Sequence, residues 1–266
     1  MRRTHWILLF VSALQAAPNS TLAQAVQTLS PVNIARDLRS GDRDRIASAL
    51  SHIPLKLDPS AHIEWGFPDE YLVPPEVSSG LIAALAREAD LYMDGATVLA
   101  DTHPELVIEL MHYVVALRDP ASVPILLRLL GTGTLVRDAL LSFGPDVISD
   151  LADVAVSAEA HADHVRGALL ALRDAAARFE SRLTPSVRRS MRRAAILNLD
   201  GVPGRLGSVR ERSSALVGAI ILAEQLRDPD VTARLVRIAG GTGDPGMAWI
   251  PDDVRARAAD VLRRLR

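Results

Sequence analysis

Leu117-Arg118-Asp119-Pro120 opens a stretch that carries Leu126, Arg128 and Gly131, and 109 residues further on Leu226-Arg227-Asp228-Pro229 opens another that carries Leu235, Arg237 and Gly240 in the same register. Each copy runs into a second amphipathic stretch that begins Val-Arg, at Val136-Arg137 and at Val254-Arg255. Val165-Arg166-Gly167-Ala168-Leu169-Leu170 repeats Val136-Arg137-Asp138-Ala139-Leu140-Leu141 at an interval of 29 residues. Apolar positions three and four apart, punctuated by a recurring break, describe helices that come in pairs. One such pair cannot bury its own apolar stripe, so pairs must stack on one another, and the expected fold class is all-α.

The breaks have a chemistry of their own. Ser30-Pro31, Asp58-Pro59, Asp119-Pro120, Thr184-Pro185 and Asp228-Pro229 each put an acceptor side chain before a ring that has no N–H to satisfy, the grammar of a helix start. Helices are expected over 32–39, 42–50, 76–92, 104–117, 120–130, 135–143, 145–156, 160–178, 185–199, 209–226, 229–239 and 251–265, with a short element at 96–101. Residues 53–75 break the pattern with five prolines and with Trp65, Phe67 and Tyr71, and read as the longest irregular segment.

The Leu-Arg-Asp-Pro openings and the Val-Arg-x-x-Ala second helices resemble HEAT-type repeats, in particular the short bacterial variety, best over 104–172 and 209–266. The resemblance implies an α-solenoid of antiparallel helical pairs that binds other macromolecules along its concave surface. It is specific for fold and silent on chemistry. Residues 26–103 depart from the pattern and are expected to form a helical cap or degenerate repeats, with 104–266 as the solenoid proper.

With 266 residues, 48% hydrophobic content and only 4% aromatic, the chain builds its core from Ala, Leu and Val. Residues 1–25 read as a signal peptide: Arg2 and Arg3, an apolar run over 6–13, and Ala23-Gln24-Ala25 as the cleavage site. Cleavage after Ala25 implies a periplasmic or secreted product, and the apolar run is shorter than the ~20 residues of a spanning helix. The absence of cysteine rules out disulfide stapling.

Charge is unevenly spread behind a net value of −2. Eleven acids lie between Leu57 and Glu109 against the single Arg87, whereas nine arginines lie between Arg178 and Arg212 against Glu180, Asp200 and Glu211. On a helix starting at Pro185, Arg188 and Arg192 form one row and Arg189 and Arg193 a second, a patch suited to carboxylate or phosphate. These four arginines, with Trp249 as an apolar anchor, are the expected binding residues. The expected partner is a protein, acidic in character, with anionic glycans or lipid head groups as alternatives. Export and the scarcity of stacking aromatics argue against nucleic acid. The oligomeric expectation is a monomer or a salt-sensitive weak association.

Catalytic signals are sparse. There is no Gly-x-Ser-x-Gly elbow, Ser-x-x-Lys pair, His-Glu-x-x-His helix or phosphate-cradling loop. His161 and His164 stand three apart on a helix but lack the further ligands of a zinc site. The reading is therefore a non-enzymatic scaffold with no cofactor and no metal. The alternative is an enzyme accessory or hydrolase-like domain with its site in 53–75, where His62 and Glu64 could converge with His52 and Asp69.

Overall fold

A computed structural model describes residues 29–58, 64–94, 97–98, 104–201, 207–241 and 245–265; the proposed leader lies outside the described residues. Among them the chain is helical, with twelve α-helices: α1 (Pro31–Leu38), α2 (Arg43–Leu50), α3 (Pro75–Tyr92), α4 (Pro104–Leu117), α5 (Val123–Arg128), α6 (Thr134–Ser142), α7 (Val147–Val156), α8 (Ala162–Arg178), α9 (Pro185–Leu199), α10 (Val209–Leu226), α11 (Pro229–Gly240) and α12 (Asp252–Leu265). Among the described residues no helix is long and apolar enough to cross a membrane.

The side chains before proline do what their chemistry requires. Ser30 accepts from the Asn33 N–H at 3.3 Å, Asp119 from Ala121 at 2.9 Å, Thr184 from Val187 at 3.3 Å, and Asp228 from Asp230 and Val231 at 3.0 and 3.1 Å. Asp58 is the exception, because it ends a strand. Ser208 and Glu211 close a reciprocal capping box on α10.

The repeated tetrapeptide builds the same turn twice. Arg118 and Arg227 both adopt the left-handed conformation, at φ 52° and 50°, and among the described residues they are the two non-glycine positions that do so. In each copy the leucine ends a helix, the arginine reverses the chain, the aspartate caps and the proline starts the next element. The two turns follow α4 and α10.

Contacts run in two series. α1 packs on α3, α3 on α5, α5 on α7, α7 on α9 and α9 on α11, while α4 packs on α6, α6 on α8, α8 on α10 and α10 on α12. Neighbours in sequence join the series, as in α7 with α8 and α11 with α12. One apolar core runs continuously from Ile34 to Val261. Small residues set the closest approach: a Cβ on Gly218 of α10 would stand 3.1 Å from Leu169 and 3.4 Å from the Arg166 carbonyl, so α8 and α10 meet nearly backbone to backbone. A buried Asn198 ties α9 to α7, its Nδ2 donating to the Ala155 carbonyl at 2.9 Å and to Ala194 at 2.8 Å.

Three expectations need correction. The 53–75 segment is not wholly irregular, because β1 (Lys56–Asp58) pairs antiparallel with β2 (Glu64–Gly66), Leu57 opposite Trp65. The short element at 96–101 is in part a second small ladder, β3 (Met93–Asp94) with β4 (Thr97–Val98), and 99–103 lie outside the described residues. The 120–130 helix is broken into a 3-10 turn at Pro120–Ser122, α5, and a second 3-10 turn at Leu130–Thr132. Pro124 explains the first break: its missing N–H and fixed φ suit the first turn of a new helix but not the middle of a longer one. The glycine-rich stretch after α11 is fastened at its C-terminal end, where the Arg255 guanidinium donates to the carbonyls of Met247 at 2.6 Å and Ile250 at 3.2 Å.

Candidate functional site

The four arginines of α9 share a helix, but their surroundings differ. Arg192 is spent inside the chain, its Nε donating to Asp228 at 3.1 Å and its Nη2 to Asp230, so it clamps α9 to the start of α11. Arg188 donates to the Glu180 carbonyl at 2.8 Å. Arg189 and Arg193 are exposed and pair with no carboxylate among the described residues. Nearby, Arg178 and Arg182 each lie 5.6 Å from the centre of the Phe179 ring. The patch therefore holds fewer available guanidinium groups than its spacing implies. It also sits on an odd-numbered helix.

Trp249 is half-buried and already occupied. The Arg212 guanidinium lies over its ring at 4.7 Å from the centroid, and the ring edge fills the space beside Gly201, where a Cβ would come within 2.9 Å of Cζ2. Its burial joins the Met247–Ile250 segment to the end of α9. Phe67 and Tyr71 contact each other at 5.9 Å and pack against the core. His62 lies outside the described residues, as does the side chain of Glu64, so the alternative constellation of 53–75 has no geometry to report.

His161 and His164 have separate tasks. His161 caps α8, its Nδ1 accepting from the Asp163 N–H at 3.3 Å. His164 turns inward beside Gly131, where burial holds its imidazole below the usual histidine range. Among the described residues no group of three metal-ligating side chains comes together.

A second cluster of arginines lies on the even series, and the reading of the sequence passed over it. Arg137 in the second turn of α6, Arg166 in α8 and Arg210 at the start of α10 make no ion pair and no side-chain hydrogen bond among the described residues, and the Nε of Arg137 is buried without a partner. They are the arginines of the Val-Arg dipeptides at 136, 165 and 209. Two adjoining clefts separate them. One, of about 260 Å³, is lined by Gly131, Gly133, Thr134, Arg137, Asp163 and Arg166 among others. The other, of about 330 Å³, is lined by His161, Asp163, Arg166, Ser208, Arg210, Glu211 and Ser214. Asp163 and Arg166 belong to both.

The carboxylates of this face are differently placed. Glu211 accepts from the Ser208 N–H at 2.7 Å and from its hydroxyl at 2.8 Å, and these bonds hold its carboxyl below the usual range. Asp163 stands 3.8 Å from the His161 imidazole. Gly133 caps α6 with no side chain to offer, so the amides of the first turn of α6 receive no side-chain acceptor. The signal that could have found this cluster was present: a Val-Arg pair repeated near the start of α6, α8, α10 and α12. Its reach across three helices depends on how tightly they stack.

No family model, no curated protein and no solved structure matches this chain.

Proposed function

We propose that the chain is a HEAT-like α-solenoid and acts as a non-enzymatic interaction scaffold, holding an acidic partner protein along the face of its even-numbered helices. Two observations support the solenoid: the alternate-helix contacts, which is how a pile of helical hairpins grows, and the identical Leu-Arg-Asp-Pro turns. The binding face rests on one observation, the unpaired Arg137, Arg166 and Arg210 on three successive even helices. Guanidinium forks that lack an internal carboxylate are free to accept a bidentate one from outside. The proposal includes export to the periplasm or beyond, which the leader-like residues 1–25 support.

The test is affinity capture from a periplasmic extract with the chain carrying Arg137→Ser, Arg166→Ser and Arg210→Ser, beside a control carrying Arg188→Ser, Arg189→Ser and Arg193→Ser. The expected result is an acidic protein retained by the native chain and by the control and reduced at least tenfold with the first variant. Equal recovery by all three forms would remove the even-helix face from the reading.

A further inference from the structure

We propose that the cleft between the Leu130–Thr132 turn, the start of α6 and the first turns of α8 is a binding site for a single carboxylate, gripped between Arg137 and Arg166. The inference deepens the scaffold reading and rests on it for the source of the group, an aspartate or glutamate side chain of the partner.

Three features of the cleft converge. Two arginines line it from different helices without an internal ion pair or side-chain hydrogen bond among the described residues. An arginine fork with no internal acceptor pairs readily with an anion that enters the cleft. The positive end of α6 adds to the same field, since its cap is a glycine and Arg137 lies close to that end of the helix, where a cation is disfavoured. The floor is rigid: a Cβ on Gly167 would fall 2.5 Å from the Leu130 carbonyl, so α8 is seated directly on the turn and the two arginines are held on a fixed base.

Charge chooses among oxyanions. Asp163 also lines the cleft, so two guanidinium groups face one carboxylate and a single positive charge is left over. A monoanionic carboxylate neutralises that charge, whereas a dianionic phosphate overshoots it and meets Asp163. The volume of about 260 Å³ suits the end of one side chain and not a folded surface.

The test is a titration of the full chain, followed by ¹H–¹⁵N NMR at the amides of Gly131, Gly133 and Gly167, with N-acetylglutamate α-amide and separately with inorganic phosphate at pH 8. The expected result is saturable shifts with the glutamate probe, weakened at least tenfold in Arg137→Gln and in Arg166→Gln and unchanged in Arg193→Gln, with phosphate weaker than glutamate. Asp163→Asn should raise the affinity for phosphate, which checks the charge argument in a variant that keeps both arginines. Shifts that do not saturate, or that weaken equally in Arg193→Gln, would overturn the site, and phosphate binding as tight as glutamate would overturn its assignment to a carboxylate. Saturable glutamate binding alongside partner capture that ignores Arg137, Arg166 and Arg210 would leave the cleft standing and bring down the scaffold reading. Capture that depends on those arginines without glutamate binding would do the reverse.

Discussion

Arg118 and Arg227 show how much a single backbone angle decides. A left-handed residue satisfies the last turn of α4 or α10 and redirects the chain, yet a side chain there clashes with its own carbonyl by roughly 1–2 kcal/mol. Glycine is the usual occupant of such a position. Arg118 is exposed and has no side-chain partner among the described residues, so Arg118→Gly removes the clash at little cost in contacts. It should raise stability by up to about 1 kcal/mol, the gain being trimmed by the greater freedom of glycine in the unfolded chain. Urea unfolding of the two forms measures this, and a lower midpoint in the variant would show that the arginine is held by something besides the turn. Arg192 teaches the opposite lesson. Read as one of four equivalent charges, it is in place a structural clamp on Asp228 and Asp230, because α11 starts beside it.

At the scale of elements, the even helices are linked by charge as well as by packing. Glu224 of α10 accepts from Arg264 of α12 through both oxygens, at 2.5 and 3.0 Å, and this pairing holds its carboxyl below the usual value of 4.5. A carboxylate whose pKa is depressed on folding contributes stability that is complete above its ordinary value and drains away as pH falls through the folded one. Asp37, paired with Arg45 between α1 and α2, and Glu211 in its capping box are shifted in the same direction. Stability should therefore fall from pH 6 to pH 3. Glu224→Gln should start lower at pH 6 and lose less over that range, leaving the slope that Asp37 and Glu211 supply. Urea midpoints at pH 6, 4.5 and 3 test it, and parallel curves for the two proteins would show that the pair does not hold α12 in solution.

For the molecule as a whole, the order of contacts predicts local behaviour. The principal packing partners of α12 are α10 and α11, and α1 packs on α2 and α3. In the quasi-linear stack proposed above, stability is close to a sum of neighbour terms, so damage at one end does not reach the other. Val261→Ala opens the core of α12 at a cost of about 1–3 kcal/mol. Amide hydrogen exchange should then speed up across α10, α11 and α12 and stay unchanged in α1 and α3. A uniform increase along the chain would mean that the continuous core behaves as one cooperative globule.

The sequence by itself determined the helical class, most helix limits and the repeated turn, because these depend on local chemistry: the period of apolar residues, a capping side chain before proline, a break after leucine. It marked Pro185–Leu199 and Val209–Leu226 to the residue. It missed the two short β ladders, whose strands are too brief to show a period of two, and the break inside 120–130. Tertiary structure decided which arginines are available. Arg188, Arg189, Arg192 and Arg193 stand out because they are close in sequence, whereas Arg137, Arg166 and Arg210 converge only because glycines at 167 and 218 let α8 seat on its neighbours. Whether a charge is free depends on what lies opposite it in space, and spacing along the chain carries no record of that.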